Sequence, residues 1–147
     1  RESILILSFG IILMKNIFIS ILLFACISFG DEYVVISNNN MKDLSTNQIK
    51  AIFLNKLSFI EDIKVVPINL DARDSLRVKF EKEILHMSFS RLKTYWAAQH
   101  YLGHRPPISM KSQESIKAFV KKVEGSIGYI NAENIDDSVK VIYRWRD

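Results

Sequence analysis

Apolar positions change their spacing along the chain, and each spacing predicts an element. "EYVVIS" (32–37) is a short β-branched run that stops at the turn-forming "NNN", the pattern of a strand. Ser45 and Gln48 then form a capping box ahead of Ile49, Ile52 and Phe53, with Leu44 placed as a staple on Ile49, which predicts a helix with one apolar face. Asn55 closes it, because Asn tolerates the left-handed conformation that ends helices. "IKVVPINL" (63–70) predicts a second strand, and Pro67, which has no N–H, predicts that one side of it is not fully paired. Leu76, Phe80 and Ile84 repeat at helical spacing over 75–86. Leu92, Tyr95, Trp96 and Gln99 do so over 89–102, with Gly103 as the stop. A Ser112 cap leads a fourth helix whose stripe is Ile116, Phe119, Val120 and Val123, stopped by Gly125. "HRPP" (104–107) is a stiff connector, and "SIGYI" (126–130) and "VKVIYRW" (139–145) are strands. This order of elements predicts an α/β domain, a mixed sheet flanked by helices, in which strands distant in sequence are neighbours.

Ahead of this pattern lies a stretch with no period. Residues 3–30 hold one basic residue, Lys15, and no acid, and they inflate the hydrophobic content of the chain to 48%. From Met14 the order is a basic start, an apolar run and small residues at Ser28 and Gly30, which predicts a secretory signal peptide at 14–30 and a periplasmic domain at 31–147. Residues 1–13 lack an initiator Met, and the expectation for them is non-native upstream translation. The rival reading is a membrane anchor over residues 3–30, in which Lys15 would sit mid-membrane at a cost of a few kcal/mol. Cys26 is the only cysteine and lies in this leader; "LFAC" loosely resembles a lipobox, with Phe24 where a small residue belongs. With cleavage after Gly30, neither a disulfide framework nor a thiolate zinc site is expected. From Asp31 onward the formal charge is only +3 with the signs interspersed, so no nucleic-acid partner is expected.

The candidate chemistry centres on "DARDSLRVKF" (71–80), where a strand runs into a helix. A first helical turn offers unpaired N–H groups and the positive end of the macrodipole, so it attracts anions. Ser75 adds a hydroxyl, Arg77 a planar fork suited to oxyanions, and Arg73 closes the other side around Asp74. Arg105, held on a stiff loop before two prolines, is a further anion contact. The same residues also fit a purely structural reading, with Asp74 an N-cap, Ser75 a common first-turn residue and Arg77 a solvated i,i+4 partner of Glu81 contributing about 0.2–0.5 kcal/mol. His100 and His104 have metal-ligand spacing, but Gly103 ends the helix between them and no carboxylate accompanies them, so no metal is expected. Tyr95, Trp96 and Tyr101 fit either a stacking surface or core packing. Without a Gly-x-Ser-x-Gly elbow, a P-loop, or a Cys-His or Ser-His-Asp set, neither enzyme activity nor a cofactor is expected.

Three segments carry a family resemblance. "LSTNQIKAIFLNKLSFIED" resembles the part of phosphate ABC-transporter substrate-binding proteins in which a capped helix ends in Ile-Phe-x-Gly-Lys with an aromatic soon after. "EGSIGYI" resembles their Pro-Gly-x-Ile-Gly-Tyr strand, and "DSLRVKFEKEIL" with "YWAAQHYLGHRPP" is similar to the Arg-x-x-Phe and Tyr-Trp helices of small, single-lobe members. The match runs in order over nearly all of Tyr33 to Tyr143. It implies one lobe of a type 2 periplasmic-binding-protein-like fold, and a periplasmic module that binds phosphate or a similar oxyanion with Ser75 and Arg77 facing the ligand. It further implies an ABC-transporter permease, a second lobe or a dimer partner. An interaction module on the same fold, with no small ligand of its own, is the alternative.

Overall fold

The computed structural model describes the backbone of residues 1–24 and 30–147 and the side chains of residues 1–17 and 30–147. It divides into two compact units, Arg1–Gly30 and Asp31–Asp147. In the first, α1 runs from Glu2 to Phe24. Among the described residues no helix is long and apolar enough to cross a membrane. Cys26 and Ser28, on which the lipobox and cleavage readings rest, lie outside the described residues.

The second unit contains β1 (Glu32–Ser37), α2 (Thr46–Phe53), β2 (Phe59–Ile60), β3 (Ile63–Lys64), β4 (Val66–Leu70), α3 (Ser75–Glu83), α4 (Phe89–Tyr101), β5 (Ile108–Met110), α5 (Gln113–Lys122), β6 (Ser126–Asn131), a 3-10 turn (Ala132–Asn134) and β7 (Lys140–Arg146). Five strands form one sheet in the order β5-β4-β6-β1-β7. β4 runs parallel to both β5 and β6, whereas β1 is antiparallel to β6 and β7. β1 lies inside the sheet between β6 and β7 with Val34, Val35 and Ile36 wholly buried, which is why its sequence is a continuous apolar run rather than an alternating one.

Local capping sets the helix starts. Ser45 and Gln48 form the reciprocal box at α2, and Asp74, Ser88 and Ser112 each accept a first-turn N–H at α3, α4 and α5. Past α2, Asn55 has φ 58°, the left-handed closure expected of it. Pro67 pairs with Ile127 of β6, while the pairing with β5 begins only at Ile68, so the residue without an N–H sits where one side of the strand is open.

Four details differ from the sequence pattern. The expected strand at 63–70 is two strands, because the Val65 N–H turns to Ser58 O and Ile63–Lys64 folds back on Phe59–Ile60 through Glu61 at φ 54°. Ile108–Met110, after the stiff connector, is an edge strand recruited by β4. α3 ends at Glu83 rather than 86, and His86 leaves the helical conformation at φ 52°. In α5, Ile116 and Val120 are fully buried but Phe119 only partly, so the inner stripe is narrower than four residues.

Candidate functional site

β4 and β5 run side by side, and α3 begins just beyond their carboxyl ends. Asp71 N–H donates to Met110 O at 3.1 Å and Asp74 N–H to Asp71 O at 2.9 Å, which closes the turn into the helix. The Asp74 carboxylate then accepts Leu76 N–H at 2.8 Å, so this residue is the helix cap. Arg73 and Ser75 flank it, both exposed, and neither side chain makes a hydrogen bond to the described residues.

Arg77 does not extend into solvent. Its Nε donates to Glu81 Oε1 at 2.7 Å, and its Nη1 donates to Leu70 O at 2.8 Å and Ser109 Oγ at 3.2 Å. Only 18% of the Arg77 side chain and 11% of the Glu81 side chain are exposed. The solvated i,i+4 pair of the structural reading is therefore a mostly buried one, and the guanidinium ties α3 to the last carbonyl of β4 and to β5. Arg105 sits elsewhere. The Ile68–Ile108 register places the loop before β5 at the opposite end of these strands, where Arg105 lines a cavity with Lys64 and Pro67. The structure thus brings Arg73, Asp74 and Ser75 together at one helix start, turns Arg77 inward and leaves Arg105 apart.

Tyr129 supports this edge from within. β4 leaves its pairing with β6 after Pro67, and the Tyr129 hydroxyl occupies the gap, accepting Leu70 N–H at 3.2 Å and donating to Asn69 Oδ1 at 3.0 Å. Its ring stacks on Phe80 at 4.0 Å and 9°. Burial is the main cause that pushes its phenol well above the ordinary range. The folded state then keeps a proton that the unfolded chain releases near pH 10, so native stability is intact below about pH 10 and declines as pH rises further. Tyr129→Phe keeps the stack but orphans Leu70 N–H and the Asn69 carbonyl. It should lose about 1–3 kcal/mol at neutral pH and flatten the alkaline decline, measured by urea unfolding across pH 7 to 11.

The other candidates separate. Tyr95 donates its hydroxyl to Leu54 O at 2.5 Å and meets Trp96 edge-on at 5.0 Å, so both pack, while Tyr101 is 90% exposed. His104 Nδ1 lies 2.8 Å from Gln99 Oε1, and among the described residues no group of three His, Cys, Asp or Glu gathers to hold a metal ion. Asn69 and Ser109 escape a sequence reading. The signal for Asn69 is a polar residue inside the apolar run "VVPINL", and Ser109 carries none.

The mixed sheet, whose parallel strands deliver helix starts to one edge with helices packed on it, has the arrangement of one lobe of a type 2 periplasmic-binding-protein-like fold. No protein-family model matches the chain, and no curated protein matches it. Solved structures do match. An ABC-type phosphate transport receptor from Vibrio cholerae superposes at a TM-score of 0.62 with 17% identity over 78% of this chain and 46% of its own. A protein from Clostridium perfringens described as a phosphate ABC transporter substrate-binding protein, with bound phosphate, gives 0.63 and 25% over 78% of this chain and 45% of its own. PstS from Borrelia burgdorferi gives 0.59 and 12% over 78% and 48%. The chain spans about half the length of these structures, and its fold is that of phosphate ABC transporter substrate-binding proteins over that half.

Proposed function

We propose that the protein is a periplasmic solute-binding module, not an enzyme, that takes phosphate or a similar oxyanion at the start of α3. The observation that carries this reading is the fold it shares, at 25% identity, with a protein solved with phosphate bound. Arg73, Ser75 and the first-turn N–H groups supply the donors, and the free oxygen of Asp74 accepts the proton of a monoprotonated anion. Arg77 holds the turn in place from behind rather than reaching the ligand. Signal-directed export through residues 14–30 and an ABC-transporter permease partner belong to the same proposal. One lobe leaves an anion hydrated on its open side, so the opposing wall comes from a second lobe, a second copy or a partner.

One observation favours the alternative of a docking module with no small ligand: Asp74 and Arg77 are both engaged within the fold. The two readings separate by melting temperature. Millimolar phosphate should raise it by mass action, and chloride at matched ionic strength should not. Arg73→Ala with Ser75→Ala should abolish the rise and leave the unliganded value nearly unchanged, since both side chains are exposed. Equal effects of phosphate and chloride would overturn the oxyanion reading and make the docking module the better one.

A further inference from the structure

A cavity of ≈ 250 Å³ opens between α3 and α4; Arg77 lines it, and Arg73 and Ser75 do not. Phe53, Phe89 and Trp96 give it aromatic walls, and Asn69, Arg77, Glu81 and Lys93 are its polar groups. Asn69 is only 6% exposed. The Tyr129 hydroxyl accepts Leu70 N–H and donates to Asn69 Oδ1, and Asn69 Nδ2 has no acceptor among the described residues. Among the described residues the buried side-chain N or O atom without a partner is Asn38 Oδ1, so Asn69 Nδ2 stays within reach of water, and an acceptor in the cavity would take that water's place. Arg77 uses Nε and Nη1 within the fold, and its Nη2 has no acceptor among the described residues. Lys93, exposed on α4, forms no ion pair with them.

These groups define the ligand chemistry. Arg77 and Lys93 against Glu81 leave one formal positive charge, matched by a single negative charge. The N–H donors that Asn69 and Arg77 keep available suit a two-oxygen acceptor such as a carboxylate. The aromatic walls gain only if the rest of the ligand is apolar, and the volume lies below the usual range for drug-sized ligands. Phosphate fits poorly, having no apolar body and placing further charge against Glu81. We propose that this cavity is a second binding site, for a small organic monocarboxylate with an apolar body.

The test uses the full chain, with phenylacetate as probe and 2-phenylethanol as its uncharged counterpart. Phenylacetate should raise the melting temperature and change tryptophan emission saturably, through Trp96 in the wall, and the alcohol should bind at least tenfold more weakly. Lys93→Glu, on an exposed position, should leave the unliganded melting temperature unchanged and weaken phenylacetate about tenfold. Asn69→Asp, which preserves shape but opposes two carboxylates, should abolish binding. Arg73→Ala with Ser75→Ala should leave phenylacetate binding intact, which separates this site from the oxyanion reading. No saturable response to phenylacetate, equal affinity for the alcohol, or indifference to Lys93→Glu would each overturn the proposal.

Discussion

Gly125→Ala should cost about 3 kcal/mol or more, while Gly103→Ala should cost only about 1–2 kcal/mol. The two glycines share a backbone hand, with φ 76° at Gly125 and 81° at Gly103, so both substitutions force an L side chain into the left-handed region. They differ in what the new methyl would meet. At Gly103 nothing lies within 4 Å, whereas at Gly125 a Cβ would stand 2.0 Å from Lys64 O and 3.0 Å from Ile63 Cγ2. Lys64 O is backbone at the end of β3, and Gly125 O accepts Val66 N–H at 2.9 Å where β4 and β6 begin to pair. The methyl can be accommodated only by moving β6 off β4, which disturbs the one parallel contact between the two halves of the sheet. Urea midpoints of both variants, with m-values unchanged, measure the difference directly. Equal losses would mean that the Gly125 turn relaxes without moving the strands, and that close approach is not why glycine is there.

What the sequence reveals of the fold is whatever depends on near neighbours. The Ser45–Gln48 box, the Asn55 closure, the Ser112 cap and the run Val34-Val35-Ile36 all act within a few residues, and each is where the pattern places it. β5 is invisible for the opposite reason. "ISM" is short and largely exposed, and it is a strand only because β4, forty residues earlier, offers Ile68 to Leu70 as a parallel partner. The hairpin of β2 and β3 likewise hangs on Val65 N–H choosing Ser58 O over continuing the strand. The site divides in the same way. That Asp74 and Ser75 start a helix is local and legible, but the direction of Arg77 is set by Leu70 O and Ser109 Oγ, acceptors that the fold supplies. Periodicity has no access to that choice, which is why spacing alone leaves both a ligand-facing and a solvated Arg77 open.

Arg77→Ala should therefore cost about 3–5 kcal/mol, roughly ten times what a solvated i,i+4 pair would lose. The residue Glu81 is 8% exposed, and removing its guanidinium partner leaves a carboxylate with little water to replace it. Leu70 O, already at the end of the β4 ladder, loses a donor at the same time. Arg77→Lys should recover only part of the loss, because a single ammonium cannot reach Glu81, Leu70 O and Ser109 Oγ with the geometry of the fork. The sharper measurement is the pair. Arg77→Leu with Glu81→Leu removes both charges and refills the space, and buried ion pairs replaced in this way are often neutral in stability. The double variant should thus be more stable than Arg77→Ala, with a coupling of about 1–3 kcal/mol in the cycle. If Arg77→Ala instead unfolds within 0.5 kcal/mol of the parent, the guanidinium is not held by the sheet edge in solution. It is then free to swing toward the start of α3, where an anion would meet it directly.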